Sequence, residues 1–88
     1  MFKIQRQEII FSHHALYQMN ERNISRQTVI DALNFPNCII TQNNQRKQAI
    51  KFFLKNQKKY LIIAIYEENL KCKNVITAFI TSKIKKYL

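Results

Sequence analysis

The chain contains no glycine, no tryptophan and one proline, and only five acidic residues stand against fifteen Lys or Arg. Without glycine there is no P-loop and no Rossmann fingerprint, because both need backbone without a Cβ close to phosphate. Tight turns that require a left-handed residue must then be made by Asn or Lys. Long apolar runs are missing as well. The longest aliphatic stretch, Leu61–Ile65, falls far short of the ~18–20 residues of a membrane span. Met1–Arg6 is too polar for a signal peptide, so the expected location is cytoplasmic. Cys38 and Cys72 lie in no zinc-binding spacing, and the five acids are dispersed. No metal and no cofactor are therefore expected.

What is present is positive charge, unevenly placed. Residues 1–45 hold four Lys or Arg against three acids, and residues 46–88 hold eleven against two. A basic half of this kind points to a polyanionic partner. A/T-rich codon usage competes as a source of the lysines, since Ile, Lys and Asn make up 34 of the 88 residues.

At 88 residues the expectation is a single domain over 1–88, with a helical hairpin at 12–35, a sheet at 38–81 and a basic tail at 82–88. Residues 4–11 read as a strand. Ser12 and Ser25 read as N-caps, each between apolar residues at staple spacing: Phe11 with Leu16, Ile24 with Val29. Helices follow over His13–Glu21 and Arg26–Asn34, and Pro36 stops the second. After Pro36 the period becomes two. Cys38–Gln42, Ala49–Lys55, Tyr60–Tyr66 and Asn74–Thr81 read as strands, and Ser82–Leu88 as a basic tail with a helical turn. The order β-α-α-β-β-β-β predicts an α+β fold, with the hairpin packed on one face of a twisted antiparallel sheet. The opposite face is then expected to present Lys51, Phe53, Lys55, Tyr60, Tyr66, Thr77, Phe79 and Thr81. Such a mixture of cations and rings suits nucleic acid: rings stack on bases and ammonium groups neutralise phosphates. A half-exposed face of good strand formers has the same composition.

The most specific string is F-S-H-H-A-L-Y-Q-M-N-E-R-N-I-S, Phe11–Ser25, followed by V-I-D-A-L-N-F-P. It resembles the opening of the bacterial family called domain of unknown function 4258, which begins F-S-x-H-A-x-x-R-M-x-x-R-x-I and ends its second helix in L-x-x-P. His14, Ala15, Met19, Arg22, Ile24, Val29, Leu33 and Pro36 fill that pattern, and Gln18 departs from it where a cation is usual. K-Y-L-I-I-A-I-Y and V-I-T-A-F resemble the later strands, and T-S-K-I-K-K-Y-L resembles the tail of one branch. The resemblance spans about residues 9–88. It implies a relation to the RelE/ParE-like toxins of bacterial toxin–antitoxin pairs. Many of those are metal-independent ribonucleases that cut mRNA, often on the ribosome, whereas the ParE branch inhibits DNA gyrase without nuclease activity. The partners implied are a cognate acidic antitoxin and RNA, ribosome-bound mRNA included, and no membrane.

Metal-free RNA cleavage requires a base for the 2′-hydroxyl proton, cations for the developing phosphorane charge and an acid for the leaving 5′-oxygen. The candidate catalytic residues are His14 as acid or base, Arg22 as a bidentate phosphate clamp, Lys51 and Tyr60. Lys51, Lys55, Phe53, Tyr66, Lys83, Lys85, Lys86 and Tyr87 are the candidate RNA contacts. A helical wheel places Arg22 about 70° and His14 about 150° from the centre of the first helix's apolar stripe, so the two need not face one substrate. Two other functions compete with the nuclease: a ParE-like inhibitor of a protein target, and a basic protein-binding module without toxicity.

Overall fold

The computed structural model describes residues 8–43 and 45–87. The expected strand residues 4–7, Asn44 of the expected Gln42–Gln45 turn and Leu88 of the tail lie outside them. The elements run β1 (Glu8–Phe11), α1 (His13–Glu21), α2 (Arg26–Asn34), β2 (Cys38–Thr41), β3 (Arg46–Lys55), β4 (Lys58–Glu68), β5 (Cys72–Thr81) and α3 (Ile84–Tyr87).

Local chemistry sets the helix ends. The Ser12 hydroxyl accepts from the Ala15 N–H at 3.0 Å, and the Ser25 hydroxyl accepts from the Thr28 N–H at 3.1 Å. Each satisfies one amide that the first helical turn would leave unpaired. α1 closes in a Schellman motif. Asn23 takes φ 55°, the Ile24 N–H reaches the Met19 carbonyl at 2.8 Å, and the Asn23 N–H reaches that of Asn20 at 3.3 Å. Ile24 and Met19, the apolar pair of that motif, are both in the core.

The fold is α+β. Its sheet has the order β1-β5-β4-β3-β2 and is mixed, which corrects the antiparallel expectation. β1 runs parallel to β5, Glu8 facing Cys72 and Phe11 facing Val75, while the other pairs are antiparallel. Where β1 ends, α1 takes over the flank of β5. Ser12 Oγ donates to the Ile76 carbonyl at 3.2 Å and Arg22 Nη1 to the Ala78 carbonyl at 3.1 Å, so edge groups that could recruit another strand are occupied. β5 bulges here: Ile65 faces Thr77 but Tyr66 faces Val75. Gln18, the departure from the family pattern, accepts from the Thr77 hydroxyl.

β3, β4 and β5 are longer than expected, and β2 ends at Thr41 rather than Gln42. β3 begins at Arg46 rather than Ala49, and β4 covers Lys58–Glu68 rather than Tyr60–Tyr66. The polar extensions hold because Arg46 pairs with Glu67 at 2.9 Å and Lys47 with Glu68 at 2.7 Å, cross-strand contacts that replace apolar packing.

Both faces of the sheet carry a cluster. Ala15, Met19, Val29 and Leu33 from the helices pack on Ala49, Ile62, Ala64, Tyr66 and Ala78. On the reverse face Ile50, Leu61 and Ile63 are fully buried, with Phe79, Ile84 and Tyr87 packed against them. The tail is therefore a lid on the second face, with the Tyr87 and Phe79 rings 5.7 Å apart.

Asn56 and Gln57 show what the lack of glycine costs. They are the two residues between β3 and β4, Lys55 faces Lys58, and both have positive φ (52° and 66°). This is the two-residue primed hairpin turn that glycine normally supplies at the second place. A side chain such as Gln pays about 1 kcal/mol in that conformation. Gln57→Gly is expected to raise the thermal midpoint by about 3–8 °C. A melting curve with an unchanged or lower midpoint would refute the strain.

Candidate nucleic-acid interface

Cross-strand partners share a face, so the register decides where each candidate points. Lys51 faces Ile62, Phe53 faces Tyr60 and Lys47 faces Tyr66. Ile62 and Tyr66 belong to the helix-side core, so Lys51, Phe53, Lys55, Tyr60 and Tyr66 lie on the helix side. Phe79 and Thr81 lie opposite Ile63 and Leu61 on the tail side, and Thr77 is held by Gln18. The single open face expected from the sequence does not exist. The expectation failed because alternation along one strand leaves open which of two apolar faces the helices cover.

The regrouping gathers Arg22, Phe53, Lys55 and Tyr60 near the C-terminal end of α1, with Lys51 beside them. A cleft of about 550 Å³ is lined by Arg22, Phe53, Lys55, Asn56, Tyr60 and Ile80. Arg22 sits at the C-cap of α1, where the Schellman turn directs the chain away. One of its nitrogens is anchored on the Ala78 carbonyl, which holds the guanidinium fork at the cleft wall. On the floor the Phe53 and Tyr60 rings stack, 5.5 Å between centroids and 21° between planes, with Lys58 Nζ 5.7 Å from the Tyr60 centroid. Lys55 and Asn56 close the far end at the hairpin turn.

A second cleft of about 310 Å³ adjoins the first, sharing Phe53 and Ile80. Its other walls are Asn23, Ile24, Thr28, Asp31, Lys51 and Ile62. Lys51 Nζ stands 5.7 Å from the Phe35 ring. Among the described residues no ion pair engages Arg22, Lys51 or Lys55. At the opposite end of β3 and β4, by contrast, Arg46 and Lys47 are paired with Glu67 and Glu68. The hydrogen bond and charge of Glu68 raise the Lys47 pKa. Burial, with the Glu68 charge adding to it, raises that of the Tyr66 phenol.

Of the expected catalytic set, Arg22 and Tyr60 meet in the larger cleft and Lys51 lines the smaller. His14 stands apart. It is exposed in the first turn of α1, eight residues from Arg22 and so roughly 12 Å away along the axis, and it lines neither cleft. Of the expected RNA contacts, Lys55 and Phe53 line the larger cleft. Tyr66 is only 1 % exposed and offers no stacking surface. Tyr87 packs on the tail-side cluster, and Lys83, Lys85 and Lys86 are exposed beside it. Sequence reading missed Asn56, Ile80, Asn23, Thr28 and Asp31. The R-N-I-S junction between the helices was the available signal, because Asn23 and Ile24 of that junction line the smaller cleft.

Among the described residues no helix is long and apolar enough to cross a membrane, and no three His, Cys, Asp or Glu side chains gather as a metal site. No curated protein and no solved structure matches the chain. One family model does, over residues 11–80, a span that runs from the last residue of β1 almost to the end of β5 and contains every residue of both clefts. The chain belongs to the family described as Domain of unknown function (DUF4258).

Proposed function

We propose that this protein binds RNA as the toxin member of a bacterial toxin–antitoxin-like pair, and that the larger helix-side cleft holds the RNA backbone. The observation that supports this best is that Arg22 and Lys55 line one cleft with the stacked Phe53 and Tyr60 rings. A guanidinium and an ammonium with no carboxylate partner among the described residues can hold phosphate oxygens. A ring pair accepts a base by stacking, whatever its sequence. The acidic antitoxin and the cytoplasmic setting belong to the same proposal, and the net charge of +10 suits an acidic partner.

Metal-independent endoribonuclease activity is the catalytic form of the reading. There a water molecule takes the proton of the 2′-hydroxyl as its oxygen attacks phosphorus, the bond from phosphorus to the 5′-oxygen breaks, and that oxygen leaves as an alcohol. Arg22 and Lys55 stabilise the phosphorane charge, and the Tyr60 phenol protonates the leaving oxygen and regains its proton from solvent. His14 has no part in it. A ParE-like inhibitor of a protein target is the competing reading, and it draws on the exposed Phe35, Phe52 and Leu54.

Induced expression in bacteria separates them. Growth arrest with fragmented mRNA, relieved by Arg22→Ala with Lys55→Ala, is the expected outcome. Arrest with intact mRNA would reject cleavage and favour a protein target.

A further inference from the structure

We propose that the smaller cleft is a nucleobase pocket and that Asp31 makes it select guanine. The inference rests on the reading of the larger cleft as the RNA-backbone site, because Phe53 and Ile80 form a wall common to both. A nucleotide whose phosphate lies between Arg22 and Lys55 has its base within reach of this second opening.

The lining has the division a base requires. Phe53 and Ile80 supply apolar surface for the ring faces, with the buried Ile24 and Ile62 behind them. Asn23, Thr28, Asp31 and Lys51 supply polar groups for the ring edge. A volume of about 310 Å³ has room for one base with some water, and it lies at the small end of the range for ligand sites. The pocket is also built mostly from regular elements, with only Asn23 and Ile24 coming from the junction between the helices. Thr28 and Asp31 are on α2 and Lys51 is on β3.

The choice of base follows from donor and acceptor counting. Asp31 Oδ1 accepts from Gln27 Nε2 at 2.8 Å, a contact one helical turn away that orients the carboxylate and leaves Oδ2 available. An ionised carboxylate only accepts. Guanine alone presents two adjacent N–H donors, N1–H and N2–H, on its Watson–Crick edge, with the O6 acceptor beside them. Adenine and cytosine each place one amino donor next to an acceptor, and uracil places one N–H between two acceptors. Lys51, a donor only, complements O6. Guanine therefore gives the carboxylate two donors while its O6 meets the ammonium, and each of the other three bases gives the carboxylate only one. They also explain why an acid stands beside a basic cleft, where it opposes phosphate binding in general.

The test is the affinity of fluorescently labelled uridine heptamers, either plain or with a single central G, A or C, at one fixed moderate salt concentration and with the full chain. The wild type is expected to bind the G-containing heptamer about tenfold tighter than the plain one. In Asp31→Asn that advantage should fall within about twofold, while the plain heptamer binds as tightly or tighter, because a repelling charge is gone. Lys51→Gln, on a different element, should also reduce the advantage, so the result does not depend on one variant folding. No base preference in the wild type, or a G preference that survives both substitutions, overturns the inference. In that case the backbone reading stands if binding is salt-dependent and is lost in Arg22→Ala with Lys55→Ala. Failure of every heptamer to bind in a salt-dependent way overturns both.

Discussion

Arg22→Ala combined with Lys55→Ala is expected to weaken single-stranded RNA binding about 10- to 100-fold at moderate salt. It is also expected to flatten the dependence of log affinity on log salt by about one to two. Each phosphate neutralised by a side chain releases condensed counterion, so loss of two such contacts must appear in the slope as well as in the affinity. The slope separates this from general damage to the fold. Arg22 also anchors on the Ala78 carbonyl, and its loss costs some stability through that bond. A destabilised protein would bind less at every salt concentration with the slope unchanged. Lys55 is exposed near the hairpin turn and carries no such structural bond, so Lys55→Ala alone should lower affinity and slope while leaving the melting curve in place. Equal slopes for wild type and double variant would exclude this cleft as the phosphate site.

Ile84→Ala with Tyr87→Ala is expected to destabilise the protein by about 2–4 kcal/mol, which for a domain of this size lowers the thermal midpoint by roughly 10–20 °C. Both side chains pack against Ile50, Leu61 and Ile63 on the tail side of the sheet. Their removal opens apolar surface that would otherwise face water, and aggregation should accompany the loss. Lys83→Gln with Lys85→Gln and Lys86→Gln should leave the stability within about 0.5 kcal/mol of wild type, because these side chains are exposed. The pair of experiments separates two roles for one segment. A tail that serves only to contact RNA would show the opposite pattern, with the lysine variants losing affinity and the apolar variants melting normally.

The helical hairpin was legible because its signals are local. Ser12 and Ser25 are caps wherever an apolar helix follows them, and Pro36 ends α2 whatever else the chain does. The parallel seat of β1 was not legible. It joins residues more than sixty apart, and no short-range pattern records that pairing. The assignment of faces was half legible. Leu61, Ile62, Ile63 and Ala64 are buried in succession, and an unbroken apolar strand implies cover on both faces. That implication is incompatible with an open face, and the tail supplies the missing cover with only Ile84 and Tyr87. As for the site, the helical wheel placed Arg22 at the border of the core and His14 away from it, and the structure agrees. Asn56, Ile80 and Asp31 could not be joined to Arg22 without the register of β3, β4 and β5.

The most direct measurement is a titration of the ¹⁵N-labelled protein with a short single-stranded RNA, followed by NMR shifts at each backbone amide. The cleft account predicts the largest shifts at Arg22, Asn23, Phe53, Lys55, Asn56 and Tyr60, with Lys83–Tyr87 and His14 almost unmoved. Shifts concentrated in the tail, or at Ile50, Leu61 and Ile63 beneath it, would contradict it.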